Sequence, residues 1–167
     1  MTRPLTTLAV ELGKRNPFPT VQEEAFVAIV RTASIVRGQA NRLLRAFQLT
    51  EPSYNVLRIL RGAGAEGRCG HEVAAQVISE VPDMTRLIDR LQKLGYCERR
   101  RVDGDRRLVR VFITPSGLEL LTQLDAIIVD LHRKQFAEVP EALLEELLEG
   151  LESVRESARR RPLPGPV

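Results

Sequence analysis

The sequence predicts a mainly α fold with one small β-hairpin, in which a short helix-helix-hairpin unit lies between longer helical segments. Three observations predict it. Apolar residues recur at three-and-four spacing over most of residues 21–160, the period of a helix with one buried stripe. That period is interrupted between about 97 and 114, where six arginines crowd around an Asp-Gly pair and a run alternating charged with apolar residues follows. With 167 residues and 43% apolar content, the chain can bury one ordinary core, or one core and an oligomer interface, without disulfide or metal staples.

Residues 1–20 carry Pro4, Pro17 and Pro19 without sustained periodicity and read as an extended or poorly ordered N-terminal arm. From Val21, Phe26, Ile29, Val30, Ala33, Ala40, Leu43, Leu44 and Phe47 form a helical stripe, with Arg37 at the same spacing. Thr50 suits an N-cap ahead of Glu51 and Pro52, opening a second helix that buries Tyr54, Leu57 and Leu60. GAGAEGRCG then reads as a loop. HEVAAQVIS fits a short third helix with Val73, Ala74, Val77 and Ile78 inward. The fourth is the clearest: Pro82 at its first position, Asp83 at the positive end of its dipole, a stripe of Met84, Leu87, Ile88, Leu91 and Leu94, and Gly95 to stop it. Asp103-Gly104 favours a two-residue type I′ turn, and Val109, Val111 and Ile113 alternate with Arg110 and Phe112 in the returning strand. Thr114 and Pro115 open a helix lined by Leu118, Leu121, Leu124, Ile127, Ile128 and Leu131. Pro140 opens the last, lined by Leu144, Leu147, Leu148, Leu151 and Val154, before a frayed tail.

Composition narrows the function classes. Cys69 and Cys97 are too few for a disulfide framework, and no basic-then-apolar leader begins the chain, so a reducing cytoplasm is expected. No stretch reaches the roughly 18 consecutive apolar residues of a membrane span, and no membrane partner is expected. Net charge is only +3, but it is unevenly placed: residues 99–110 hold six Arg against two Asp, and residues 137–152 hold six Glu with no Lys or Arg. That separation suggests one part of the fold facing a polyanion and another facing water or a partner chain. The two long terminal segments offer more apolar surface than a small domain can cover. A homodimer would use it, and folding back as a helical bundle is the alternative.

The candidate chemistry lies in the order helix 70–79, turn 80–81, helix 82–95, hairpin 97–114. Arg86, Arg90 and Lys93 line one face of the fourth helix, with Thr85 near its start, and a helix of this diameter fits the major groove of B-DNA. Alone, such a face is ordinary solvated surface, and Asp89 offers local pairing to Arg86 or Lys93. The adjoining hairpin changes the balance, because its crowded guanidinium groups repel one another unless a polyanion supplies counter-charge.

The segment PDMTRLIDRLQKLGYCERRRVDGDRRLVRVFITPSG resembles the MarR (multiple antibiotic resistance regulator) family of winged helix-turn-helix transcription factors: recognition helix, terminating Gly, wing with Asp-Arg-Arg, alternating strand, Thr and following Gly. The resemblance spans roughly residues 21–160. It implies a winged helix-turn-helix domain at 49–114, a dimerisation region at 21–48 and 115–160, and a flexible tail at 161–167. It further implies a ligand-responsive repressor that binds a pseudo-palindromic DNA operator as a homodimer and responds to a small aromatic or phenolic effector. Thr85, Arg86, Arg90 and Lys93 would contact base edges or phosphates. Arg107 would enter the minor groove, braced by Asp105 and accompanied by Arg106, while Arg99, Arg100 and Arg101 would serve as phosphate contacts or salt-bridge partners.

Rival readings are weaker. Gly62, Gly64 and Gly67 spell G-x-G-x-x-G after NVLRIL, with Glu80 at about the spacing of a ribose ligand, but no further strand-helix alternation follows. Cys69, His71, Cys97 and His132 lack the spacing of a zinc site. No cofactor, metal or enzyme activity is expected. Arg99 to Arg101 beside Cys97 would lower a thiol pKa and suit an oxidant sensor. A helical interaction module whose basic hairpin meets an acidic protein is the remaining alternative.

Overall fold

Threonine side chains open the long helices where the sequence places them. Thr20 Oγ1 accepts from the Glu23 amide at 3.1 Å and starts α2 (Val21–Arg45). Thr50 and Ser53 cap α3 (Glu51–Ala63) reciprocally, the Thr50 amide donating to Ser53 Oγ at 2.9 Å, with Pro52 in the first turn. Each cap satisfies N–H groups that no intrahelical carbonyl can reach. The fold is a computed structural model that describes residues 4–102 and 105–160, with hairpin side chains described up to 101 and from 109. The expected Asp103-Gly104 turn and the tail at 161–167 lie outside the described residues.

Two units divide the chain, Met1–Ile128 and Val129–Val167. The first opens with a difference from expectation: residues 7–11 are helical (α1, Thr7–Glu11) rather than extended, capped by Thr6, and both Ala9 and Phe18 are buried. Five residues are too few to show a period. Glu11 and Arg31 join α1 to α2 through a 2.8 Å ion pair. Asn41 Oδ1 and Arg37 of α2 both bind Glu51 at the start of α3, at 2.9 and 2.7 Å.

The core centres on α3, whose Val56, Leu57 and Leu60 are fully buried with Leu44, Val73, Leu91, Leu121 and Leu124. The next helix, α4 (Gly70–Gln76), is shorter than the sequence suggests. Only its Val73 is buried, while Ala74 faces solvent and Val77 turns extended at ψ 145°. Ile78, expected inward, is 75% exposed, its amide donating to Asn55 Oδ1 at 3.0 Å. The connection to α5 (Met84–Lys93) therefore runs over residues 77–83, not a two-residue turn. Pro82 precedes that helix, and Asp83 is its N-cap, accepting from the Arg86 amide at 2.8 Å.

Strands β1 (Cys97–Val102) and β2 (Asp105–Ile113) pair antiparallel with Arg99 opposite Val111, and an irregularity falls between Arg101 and Val102. The glycine loop is not slack. After a 3₁₀ turn at Gly64–Glu66, Arg68 bridges to Val111 through backbone bonds of 3.0 and 2.8 Å, adding a third edge to the hairpin. Gly67 permits this at φ +61°, because a Cβ there would sit 2.7 Å from the Phe112 ring and 2.8 Å from the Val111 carbonyl oxygen. Arg110 ties the same loop, donating to the Glu66 carbonyl at 3.0 Å.

Thr114 Oγ1 donates to the Gly95 carbonyl at 2.6 Å and accepts from the Gly117 amide at 3.1 Å, which begins α6 (Pro115–Gln135) against the end of α5. Leu120, Leu121, Leu124 and Ile128 are buried along it, whereas Leu118 and Ile127, expected in the same stripe, are exposed. The second unit holds the end of α6 and α7 (Glu141–Arg160), of which no residue is buried. Among the described residues, no helix is long and apolar enough to cross a membrane.

Candidate nucleic-acid interface

The expected basic face of α5 is present and open to solvent. Thr85, Arg86, Arg90 and Lys93 are all exposed. Among the described residues, the side chains of Arg86 and Lys93 have no hydrogen-bonding or ion-pair partner. Arg90 is different: its Nη2 donates to the Gln48 carbonyl at 3.2 Å, where the chain leaving α2 takes φ +58°. Two of the three cations are free to meet a ligand, and the third is tethered to the end of α2.

Local pairing of Asp89 with Arg86 or Lys93, which the sequence allows, is not what forms. Asp89 is held instead by Arg99 of β1, whose Nη1 also donates to Gln92 Oε1 at 3.0 Å and whose Nη2 reaches the Thr85 carbonyl at 3.4 Å. Residues 85, 89 and 92 share one helix face at spacings of four and three, while 86, 90 and 93 share the next. One face is thus occupied by the hairpin, leaving its neighbour open. Sequence reasoning named Arg99 but missed Asp89 and Gln92 as its anchors: their spacing with Thr85 puts them on one helix face, but no local signal pairs that face with Arg99.

On the hairpin, Arg100 bonds to Glu98 and lies 4.8 Å from the centre of the Phe112 ring, with its own side chain 59% exposed. Arg101 is exposed. The side chains of Asp105, Arg106 and Arg107 lie outside the described residues, and β2 begins at Asp105.

Cys97 corrects one expectation. Its thiol is buried and donates to the Ile88 carbonyl at 3.7 Å, and burial pushes its pKa from the usual 9.0 up to about 11, outweighing the Arg99 charge. A thiol of that kind is a weak nucleophile, so the arginines beside it do not make a reactive centre. Cys69 is also buried, at the start of α4, where Glu72 Oε2 accepts its amide at 2.7 Å and is held below the usual carboxylate range by that bond.

The dinucleotide fingerprint fails on geometry. The NVLRIL segment is part of α3, not a strand, Gly62 lies inside that helix, and Gly67 is packed against Phe112. Nor do three metal-ligating side chains gather anywhere among the described residues.

No family model matches this chain. A curated relative, the HTH-type transcriptional regulator TtmR of Methylorubrum extorquens, is 29% identical over 125 residues, 74% of this chain, which spans 62% of that protein's length. CouR of Rhodococcus jostii, solved bound to p-coumaroyl-CoA, is 25% identical with a TM-score of 0.67, matching 82% of this chain and 95% of CouR. The solved MarR transcription factor of Planctomyces limnophilus is 32% identical with a TM-score of 0.64, over 81% of this chain and 98% of that one. Helix, capped recognition-type helix and hairpin follow in the same order that the resemblance implied, and at that identity and coverage the chain belongs to the MarR family of winged helix-turn-helix transcription regulators.

Proposed function

We propose that this protein is a cytoplasmic, ligand-responsive repressor that binds a pseudo-palindromic DNA operator as a homodimer. The open Arg86 and Lys93 face of α5, beside a face already filled by the hairpin, carries the reading. Arginine at such a position can donate two hydrogen bonds to guanine in the major groove, and Thr85 can contact a thymine methyl. Arg90 would join them by exchanging the Gln48 carbonyl for a base or phosphate. Arg100 and Arg101 are exposed on the neighbouring strand and suit phosphate contacts, and Arg107, with Asp105 as brace and Arg106 beside it, would enter the minor groove. An acidic protein partner would need the hairpin alone, not the adjoining helix face as well.

Apolar surface supports the homodimer. Phe26 and Val30 of α2 are 67% and 52% exposed, and Leu147 and Val154 of α7 are 47% and 50% exposed, so each helix has a stripe that a second copy would cover. The p-coumaroyl-CoA bound by CouR supports a small aromatic or phenolic effector. Such a ligand would weaken operator binding by preferring a dimer in which the two recognition helices are mis-spaced.

Selection of duplexes from a random-sequence library, followed by footprinting, tests the reading. Two half-sites centred about 10 base pairs apart are expected, one turn of the duplex. Enrichment of no sequence, or of a single half-site by a monomer, overturns it.

A further inference from the structure

We infer that Arg99 is a positioning residue that sets the roll of α5 against the hairpin and so decides which helix face meets DNA. The inference rests on the DNA-binding reading above. Arg99 reaches from β1 to three acceptors on α5, the Thr85 carbonyl at 3.4 Å, the Asp89 carboxylate and Gln92 Oε1 at 3.0 Å, spanning two turns of the helix with one planar group. Its side chain is only 29% exposed. A guanidinium does this where an ammonium cannot, because its donors are fixed in a fork.

Apolar packing alone holds the roll of α5 weakly. Of its five expected core side chains only Ile88 and Leu91 are buried, while Met84, Leu87 and Leu94 are half-buried. Successive helix positions are about 100° apart at 3.6 residues per turn, so a roll of one position would bring the 85, 89 and 92 face to where 86, 90 and 93 now stand. That exchange would present the Asp89 carboxylate to a phosphate backbone in place of Arg90, and Thr85 in place of Arg86. The Arg99 fork opposes it by engaging the first face along its length, and it also neutralises Asp89.

The test uses the full-length protein and two duplexes: one enriched by the wild type from a random library and the same duplex with scrambled half-sites. Arg99→Ala and Asp89→Ala should each weaken the enriched duplex about tenfold, a coupling in the usual range for a side-chain network, and hardly change the scrambled one. The double variant should be no worse than either single variant, Arg99→Lys should not restore affinity, and the salt dependence should keep its slope. Equal losses on both duplexes with a slope reduced by about one would make Arg99 a phosphate contact and overturn the inference, as would additive single losses. Hydrogen exchange decides the tether without DNA. Amides of residues 85–93 should exchange faster in Arg99→Ala while the urea midpoint stays put, and unchanged exchange overturns it. A wild type that enriches no sequence removes the DNA-binding reading, and the exchange result then stands alone.

Discussion

Arg61 of α3 grips Asp125 of α6 with both terminal nitrogens, at 2.8 and 3.0 Å, closing a loop of 64 residues around the hairpin and α5. The Arg61 hydrogen bonds hold the Asp125 carboxyl below its usual range and raise the guanidinium pKa in turn. Both side chains are partly solvated, at 34% and 48% exposure. Asp125→Asn should therefore cost only about 0.5–1 kcal/mol at neutral pH. Because the folded carboxyl is the stronger acid, its contribution is complete above the ordinary aspartate value of about 3.9 and is lost as pH falls through the lower folded value. Urea titrations of wild type and variant should differ at pH 7 and converge in acid, and a gap that persists or widens in acid would contradict the pairing.

Two glycines should resist substitution for reasons of space. A Cβ on Gly117 would overlap the Tyr96 carbonyl oxygen and come within 2.8 Å of Ile113 Cγ1. Gly67→Ala would in addition hold alanine at φ +61°. Each change is expected to lower stability by about 1–3 kcal/mol, measured by chemical denaturation. Gly38→Ala, where a Cβ meets nothing within 4 Å, is the control and should be neutral or stabilising.

Helix starts were legible in the sequence because caps are local: Thr20, Thr50 and Thr114 each act within three residues. The end of α4 was not, since Val77 and Ile78 continue an apolar period that the backbone has already left. The residue types of the basic face were legible too. Their partners were not, because Asp89 has cations within four residues on its own helix, and only the hairpin's return brings Arg99 closer. Gly67 read only as part of a loop for a similar reason: a close approach is visible only once Phe112 is in place. Long-range pairs such as Arg61 with Asp125 leave no periodic trace.

Cys97 should be inert in the native protein. With its thiol pushed up to about 11, alkylation at pH 8 should be slow when folded and fast in denaturant. Burial raises the folded value above the unfolded one, so the thiol's contribution to stability is complete below the unfolded value and is lost as pH climbs from 9.0 through about 11. Cys97→Ala should flatten that alkaline decline. Peroxide that released DNA from wild type but not from Cys97→Ser would contradict the buried-thiol account.

The most direct measurement of the central claim is anisotropy titration of wild type and Arg86→Ala on the enriched and scrambled duplexes at several salt concentrations. The Arg86 side chain is exposed and without a partner among the described residues, and the amide that Asp83 caps is kept in alanine, so the substitution should leave the fold intact. A base-reading Arg86 predicts a loss of about 1–3 kcal/mol on the enriched duplex and little on the scrambled one. No loss on either duplex would contradict the assignment of this helix face to DNA.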